Sequence, residues 1–244
     1  MAVGLETKMI PVKGMIPVSM LDWDGKLSAV FFTGGCNFRC SYCHNADLVT
    51  GHTKLKTLSW EEIEKHLLAR KEWLDAVVIT GGEPTIHDGL PDFIRRIKKM
   101  GYPVKLDTNG ALPGALKELL EENVVDYVAM DIKTTFDKYE QAVNARVNAK
   151  DVSESVSLIR RAGVEHEFRT TVVPGTVEEE DVLTIAEFLA GSNAYYLQQF
   201  KPDHVLEPQA SSIKPYPDEL LFELAEKCSR FVPTKVRNTL GNNV

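Results

Sequence analysis

Three cysteines lie within eight residues of the 244-residue chain, at Cys36, Cys40 and Cys43. The spacing C-x3-C-x2-C differs from that of a structural zinc site, which takes four ligands that usually come in two close pairs. Three clustered thiolates instead suit a cubane iron–sulfur cluster that keeps one iron open. An open coordination position on a metal is where a substrate or cofactor can bind. The triplet therefore predicts catalytic iron–sulfur chemistry.

The cysteine triplet is less well explained by disulfide bonds or by a zinc site. Three close cysteines cannot all pair with one another, and the fourth, Cys228, lies far along the chain in a helix-like stretch. A lone cysteine there is most often a small buried hydrophobe. Residues 1–20 lack the apolar stretch of a secretory signal, which predicts a cytoplasmic protein with reduced thiols. On spacing alone, a zinc site completed by His44 or His52 stays open as an alternative.

Size and charge narrow the class of protein. With 244 residues and 43% hydrophobic content, the chain can bury a large core, and α/β barrels of this size are commonly one domain. We predict a single domain over 1–244, with a core at about 27–200, an N-terminal extension at 1–20, and a C-terminal helix and tail at 215–244. The net charge of −7 argues against a nucleic-acid binder, which needs a basic face. The apolar runs are far shorter than the ~20 residues of a membrane span.

Short apolar runs alternate with amphipathic stretches along the chain. Strands are predicted at 28–33, 75–80, 104–107, 127–131, 168–173 and 195–200. Helices are predicted at 59–72, 91–100, 112–122, 153–162, 178–190 and 218–230. Ser59 and Glu62 carry the signature of a capping box at the start of the first of these helices. Six strands separated by helices predict a parallel sheet with right-handed crossovers.

Polar motifs stand at or just after the carboxyl end of each predicted strand. In chain order they are the cysteine loop and the runs at 80–84, 107–110, 130–133, 169–175 and 198–201. In barrels and open parallel sheets the active site forms at this edge. Turn chemistry explains one or two such motifs, but not six. The sequence therefore predicts that these motifs surround one site.

The cysteine triplet, together with a Gly-Gly-Glu-Pro run, resembles the radical S-adenosylmethionine (SAM) superfamily over residues 27–200. The resemblance implies that the three cysteines hold three irons of one 4Fe–4S cluster and that the fourth iron binds the amino and carboxylate groups of SAM. One electron then cleaves SAM and yields a 5′-deoxyadenosyl radical. Gly81 and Gly82 would let the backbone approach the methionyl ammonium, with Glu83 behind them. Tyr42 would pack beside the cluster and the adenine.

Runs at 43–45, 106–110 and 130–133 resemble, within this superfamily, the activating enzymes of glycyl radical enzymes. This closer likeness implies a partial (β/α)6 TIM-like barrel with its active site at the carboxyl rim of the strands. It also implies a catalytic Lys133 that meets the cofactor carboxylate or ribose, and an Arg169 that lines the adenine side. A sodium or potassium site would be built from Asp107, Thr108, Met130 and Asp131. The cofactor would also be bordered by Thr108, Asn109 and Asp131.

The chain departs from the pyruvate formate-lyase activating enzyme after the sixth predicted strand. That enzyme has a histidine there, whereas this chain has the run Gln-Gln-Phe-Lys at 198–201. We expect Gln199 or Lys201 to take over the ribose contact. This run, with those at 21–26 and 230–233, resembles the branch of anaerobic ribonucleoside-triphosphate reductase activating proteins.

Two classes of enzyme follow from the resemblance. The first removes a hydrogen from a glycine of a partner glycyl radical enzyme, expected to be anaerobic ribonucleotide reductase, with a flavodoxin or ferredoxin-type protein as reductant. Neither nucleic acid nor membrane is expected as a partner. The second class acts on a small, nucleotide-like molecule, which extra basic residues near Lys201 or Arg237 would favour. A metal-binding module without catalysis is disfavoured by the ring of motifs at the strand ends.

Overall fold

The computed structural model describes residues 9–239, which form one eight-stranded sheet with helices packed against it. The strands are β1 (Val12–Ser19), β2 (Ser28–Thr33), β3 (Ala76–Gly81), β4 (Val104–Thr108), β5 (Tyr127–Asp131), β6 (Glu165–Val172), β7 (Tyr195–Gln199) and β8 (Thr234–Arg237). The α-helices are α1 (Ala46–Val49), α2 (Trp60–Leu68), α3 (Leu90–Lys99), α4 (Pro113–Glu121), α5 (Tyr139–Val143), α6 (Ala149–Ala162), α7 (Glu179–Phe188) and α8 (Asp218–Cys228). Residues 1–8 of the predicted extension and 240–244 of the predicted tail lie outside the described residues.

The strands follow one another across the sheet in chain order, from β1 to β8. β1 runs antiparallel to β2, and every later pair of neighbours is parallel. Because β1 and β8 stand at opposite edges, the sheet is not closed into a full barrel. Parallel strands bring their carboxyl ends to one rim. The predicted α/β class is confirmed.

Two strands widen the sheet beyond the six that the sequence predicts. β1 falls in the predicted extension, where Gly14 and Pro17 interrupt the apolar pattern. β8 falls in the predicted tail and has only four residues, of which Lys235 and Arg237 are charged. Backbone pairing with β2 and β7 forms both strands, and proline is tolerated because β1 stands at the edge of the sheet. Local pattern alone carries no strong strand signal for either segment.

Local end signals set most helix boundaries. The predicted capping box of α2 is present: Glu62 N donates to Ser59 Oγ at 3.2 Å, and Ser59 N donates to the Glu62 carboxylate at 2.8 Å. α6 begins earlier than predicted because Asn148 caps it, and Gly163 ends it with φ at 68°. None of the described helices is long and apolar enough to cross a membrane.

Apolar residues fill both sides of the sheet. The larger core lies between the sheet and the helices and includes Phe31 and Ile79. A smaller cluster lies inside the partial barrel, where Trp23 from the β1–β2 loop packs with Val30 and Val78. Successive residues of a strand point to opposite faces, so neighbouring residues of β2 and β3 pack alternately into the larger core and the smaller cluster. The carboxyl rim is left for polar residues.

Candidate active site at the strand rim

A cavity of about 500 Å³ opens at the carboxyl ends of the strands. It brings together residues of every motif that the sequence places at this rim. Of the predicted site residues, those that line it are Cys36, Cys40, Tyr42, Cys43, Gly81, Gly82, Glu83, Asp107, Thr108, Asn109, Asp131, Lys133, Arg169 and Gln199. Met130 does not line the cavity. It is fully buried, and its side chain lies against Gly110. The tertiary structure thus assembles the motifs into one site.

The three clustered cysteines are free thiols in the loop after β2. The amide of Phe38 donates to Cys36 Sγ at 3.3 Å. Burial raises the pKa of Cys36 to about 12 and also raises the pKa of Cys40, so two of these thiols ionise readily only beside added positive charge. Iron supplies such charge, and thiolate is the ligand that iron–sulfur clusters use. The donor set fits a cluster held by three cysteines.

Gly81 and Gly82 let the end of β3 pack against the start of the cysteine loop. A Cβ at Gly82 would lie 1.8 Å from the carbonyl oxygen of Gly35, and one at Gly81 would lie 2.4 Å from the amide nitrogen of Thr33. Gly81 also has φ at 118°, which favours glycine. The amide of Glu83 donates to Gly35 O at 2.8 Å and joins the two loops. The contact of these glycines with the methionyl ammonium stays a prediction.

Glu83 connects the ends of β3 and β4 from a buried position with 1% exposure. Its Oε1 accepts hydrogen bonds from the amide and hydroxyl of Thr85, at 3.1 and 2.6 Å, and from the hydroxyl of Thr108 at 2.7 Å. Its Oε2 accepts from the amide of Asn109 at 2.6 Å. Burial raises the pKa of Glu83, although these four hydrogen bonds oppose the shift. Glu83 therefore holds the loops that shape the cavity.

An ion-pair group forms the wall contributed by β4, β5 and β6. The Arg169 guanidinium donates to Asp107 Oδ2 at 3.0 Å and to Asp131 Oδ1 at 2.7 Å. The Lys133 ammonium donates to Asp131 Oδ2 at 2.8 Å. Burial alone would raise the pKa of Asp131, but the charges of Arg169 and Lys133 outweigh burial and hold this pKa below its usual value. These ion pairs orient the four side chains relative to one another.

Lys133 also faces the cysteine loop. Its positive charge opposes the rise that burial causes in the pKa of Cys40, and its side chain is 17% exposed. Burial would lower the pKa of Lys133, but the charges around it, Asp131 first, raise it well above its usual value. A protonated amine beside the cysteines can attract an anionic group of a ligand.

Two buried polar atoms of the cavity residues have no hydrogen-bond partner among the described residues. They are the Tyr42 hydroxyl and Oδ1 of Asp107. A buried polar group without a partner costs about 1–3 kcal/mol, so both atoms favour a ligand that can complete their hydrogen bonds. The hydroxyl can donate or accept a hydrogen bond, and the carboxylate oxygen can accept one. The two atoms fit a polar ligand that carries both donors and acceptors, as SAM does.

Gln199 and Gln198 have different roles in the structure. The Gln199 amide donates to Tyr216 O at 2.7 Å and to Asp218 Oδ1 at 2.9 Å, and its oxygen accepts from the amide of Phe200 at 3.0 Å. Gln199 borders the cavity, but its polar atoms are hydrogen-bonded to the segment that connects β7 to α8. Gln198 lies on the opposite face of β7, half-buried and lining the cavity. The period of two along a strand is the signal that identifies it.

A second group of charges lies inside the partial barrel, and the sequence predictions did not foresee the pairing at its centre, that of Glu167 with Arg237. Glu167, 2% exposed, accepts from Arg237 at 2.7 Å and from the hydroxyl of Tyr127 at 3.0 Å. Its carboxylate is 3.6 Å from the ammonium of Lys105 and 3.9 Å from the guanidinium of Arg169. The signal available in the sequence was a set of charged residues, Lys105, Glu167 and Arg237, within strand segments. Through the contact with Glu167, this group adds a third carboxylate next to the Arg169 guanidinium.

Comparisons with known proteins agree with the geometry. Residues 30–189 match the Radical SAM superfamily, and the chain belongs to this superfamily. It is 34% identical over 237 residues to a Methanocaldococcus jannaschii protein described as a glycyl-radical enzyme activating enzyme, a match that covers 94% of this chain and 96% of the relative. It is 28% identical over 195 residues to the pyruvate formate-lyase-activating enzyme of Clostridium pasteurianum, covering 78% of this chain and 80% of that enzyme.

Solved structures share the fold at low sequence identity. QueE from Escherichia coli superposes with a TM-score of 0.54 at 17% identity and covers 94% of both chains. Membership of the superfamily implies a 4Fe–4S cluster and SAM as cofactors. The cysteine loop, the charged wall and the two unpartnered polar atoms provide residues suited to both. The protein is thus an enzyme of radical SAM chemistry, related to activating enzymes.

Proposed function

We propose that the protein activates a glycyl radical enzyme by removing a hydrogen atom from a glycine of that partner. The observation that carries this proposal is the near full-length match to an activating-enzyme relative, 94% of this chain and 96% of the relative, around a cavity with three free cysteines. When bound, the cluster supplies one electron that cleaves SAM into methionine and a 5′-deoxyadenosyl radical. This chemistry would supply the hydrogen abstraction, with the glycine hydrogen ending in 5′-deoxyadenosine.

The residues of this chain would hold and orient the cofactors. Cys36, Cys40 and Cys43 would bind three irons, and Lys133 would attract the carboxylate of SAM because it is a protonated amine beside the cysteine loop. The hydroxyl of Tyr42 would donate to the same ligand. Glu83 would keep the surrounding loops in place through its four hydrogen bonds. Fixing reacting groups in position is the main contribution of a protein to cofactor chemistry.

The partner is expected to be anaerobic ribonucleotide reductase, with a flavodoxin or ferredoxin-type protein as reductant. This expectation is supported by the runs at 21–26, 198–201 and 230–233, which resemble the activating proteins of that reductase. All four cysteines are free thiols, which suits a reducing compartment, so we propose a cytoplasmic location.

One observation weighs against a nucleotide-like substrate as the alternative. Arg237, which the sequence offered as a basic residue for such a substrate, pairs with Glu167 at 2.7 Å and with Asp24 at 3.1 Å. Arg169 is likewise paired with two carboxylates. Lys201 lines the cavity, but a single lysine is a weak site for a polyphosphate.

The proposal is tested with anaerobically reconstituted protein, SAM and dithionite. We expect 5′-deoxyadenosine and methionine without a partner, and a glycine-centred radical, detected by electron paramagnetic resonance, once anaerobic ribonucleotide reductase is added. A reductase variant with alanine in place of the radical glycine is the control. If 5′-deoxyadenosine forms but neither this reductase nor any other glycyl radical enzyme gains a radical, the activating function is wrong while the radical SAM chemistry stands.

A further inference from the structure

Arg169 occupies the place between the two aspartates that the resemblance assigns to a monovalent cation. The residue lies on β6 directly across from Asp131 on β5. Its guanidinium is 12% exposed and contacts Asp131 at 2.7 Å and Asp107 at 3.0 Å. A guanidinium is planar and permanently charged, and its several donors match carboxylates well. One covalently attached cation thus already bridges both carboxylates.

The side chains of Asp131 and Thr108, two of the other expected cation ligands, are engaged as well. The second oxygen of Asp131 accepts from Lys133 at 2.8 Å. The hydroxyl of Thr108 donates to Glu83 at 2.7 Å and accepts from the amide of Gly110 at 3.1 Å. Hard cations need several oxygen ligands directed at one point. Apart from Oδ1 of Asp107, the side-chain oxygens named here already have partners, so this set does not fit an alkali-metal site.

The charge balance also disfavours an added cation. Around this wall the buried carboxylates are those of Asp107, Asp131 and Glu167. The cations in contact with them are Lys105, Lys133, Arg169 and Arg237. Lys105 lies 3.8 Å from Oδ1 of Asp107 and balances the charge of that atom. Each of these three carboxylates therefore already has a cationic partner, and a further ion there would be repelled by these cations, a repulsion that is strong away from bulk water.

We propose that Arg169 supplies in this protein the positive charge that related activating enzymes would take from sodium or potassium, so that SAM binds without a monovalent cation. Arg169 then holds Asp107 and Asp131 in fixed orientation at the cofactor wall. Oδ1 of Asp107 remains free to accept a hydrogen bond from a ligand N–H or O–H group. This inference rests on the SAM binding implied by the superfamily and not on the partner, so the two proposals fail separately.

The test measures SAM affinity of the cluster-loaded protein by anaerobic calorimetry. Titrations are run in tetramethylammonium chloride and in sodium or potassium chloride of equal ionic strength, so that screening is unchanged. We expect dissociation constants that agree within about twofold, a difference of roughly 0.4 kcal/mol. Tightening by about tenfold or more in sodium or potassium would overturn the proposal.

Variants of Arg169 provide a second test of this proposal. Arg169→Gln should weaken SAM binding by about tenfold or more and should make it respond to potassium, because the two aspartates lose their counter-charge. Arg169→Lys keeps the charge and should stay insensitive. Arg95→Gln, which removes an exposed pair with Asp92 and Glu122, is the matched control and should behave as wild type. An Arg169→Gln protein that folds but shows no cation response contradicts the proposal.

Crystals of the wild-type protein provide a readout that does not depend on the variants. Thallium(I) mimics potassium and is located by its anomalous scattering. We expect no thallium peak within bonding distance of Asp107 and Asp131 after soaking. A peak coordinated by these carboxylates overturns the proposal, even if the Arg169→Gln protein does not fold.

Discussion

Gly82 and Gly35 approach each other so closely that a Cβ on Gly82 would lie 1.8 Å from the carbonyl oxygen of Gly35. The contact joins the end of β3 to the start of the cysteine loop, since the neighbouring Glu83 amide donates to the same carbonyl oxygen at 2.8 Å. The position of the cluster-binding loop therefore depends on a residue without a side chain more than forty positions away.

Gly82→Ala should displace the cysteine loop and reduce iron uptake. Overpacking of this kind typically costs about 1–3 kcal/mol, and here it acts against backbone that cannot move aside cheaply. Iron content after anaerobic reconstitution and urea unfolding of the apoprotein measure the two effects. Gly114→Ala is the control, because a Cβ there meets nothing within 4 Å and alanine favours the helix by about 0.5–1 kcal/mol. Equal iron uptake in both variants would refute this role of Gly82.

The four cysteines should separate into two groups. Serine at Cys36, Cys40 or Cys43 should abolish formation of a stable cluster, because one iron loses its protein ligand. Cys228→Ser should retain the cluster, since Cys228 is the last residue of α8, fully buried in the core, and is not among the residues that line the cavity. We expect about four irons per chain in this variant and a stability loss of about 1–3 kcal/mol. Iron loss in Cys228→Ser without unfolding would contradict the assignment.

Glu83→Gln should loosen the loops around the cavity. The amide of glutamine cannot accept all four hydrogen bonds that reach Glu83 from Thr85, Thr108 and Asn109. We expect a loss of about 1–3 kcal/mol of stability and slower cleavage of SAM. Urea unfolding and 5′-deoxyadenosine formation are the measurements. Wild-type values for both would show that Glu83 is not the residue that holds these loops.

Asp131 should stabilise the protein at neutral pH and lose this effect in acid. The charges of Arg169 and Lys133 hold its pKa below its usual value, which is about 3.9 in an unfolded chain. The folded state thus binds the proton less tightly, so the stabilisation is present above about pH 4 and is lost as the pH falls towards the folded-state pKa.

Asp131→Asn tests this dependence. The variant should be about 3 kcal/mol less stable than wild type near pH 7, because it leaves buried positive charge without its partner. Below about pH 4 the difference should shrink, because the Asp131 carboxyl of unfolded wild type then takes up a proton that the folded state does not bind. Urea unfolding of both proteins across this range gives the comparison. A difference that does not change with pH would contradict the role of the carboxylate charge.

Gln198 and Gln199 should respond differently to replacement by leucine. Gln198→Leu should weaken binding of SAM or of the substrate with little change in stability, because this side chain lines the cavity. Gln199→Leu should lower stability by about 1–3 kcal/mol, because its amide holds Tyr216, Asp218 and Phe200. Calorimetric SAM titration and thermal unfolding separate these outcomes. The reverse pattern would support the predicted contact of Gln199 with the cofactor.

The sequence by itself determined the class of chemistry and the arrangement of the site. Cysteine spacing is a local property, and a buried parallel strand is recognised from a short apolar run, so the strands β2 to β7 and the cysteine loop are confirmed. Parallel strands place their carboxyl ends on one rim for general reasons of chirality and connection. The motifs that follow them could therefore be assigned to one site before any contact was known.

Only the tertiary structure decided which partners those residues take. Arg169 and its two aspartates come from three strands, and Glu83 takes its hydrogen bonds partly from the next strand. Gln198 and Gln199 are adjacent, identical in type and both line the cavity, but they lie on opposite faces of β7, and the polar atoms of Gln199 are taken by Tyr216, Asp218 and Phe200. Hydrogen bonds and ion pairs depend on distances across the fold, and linear spacing does not contain those distances.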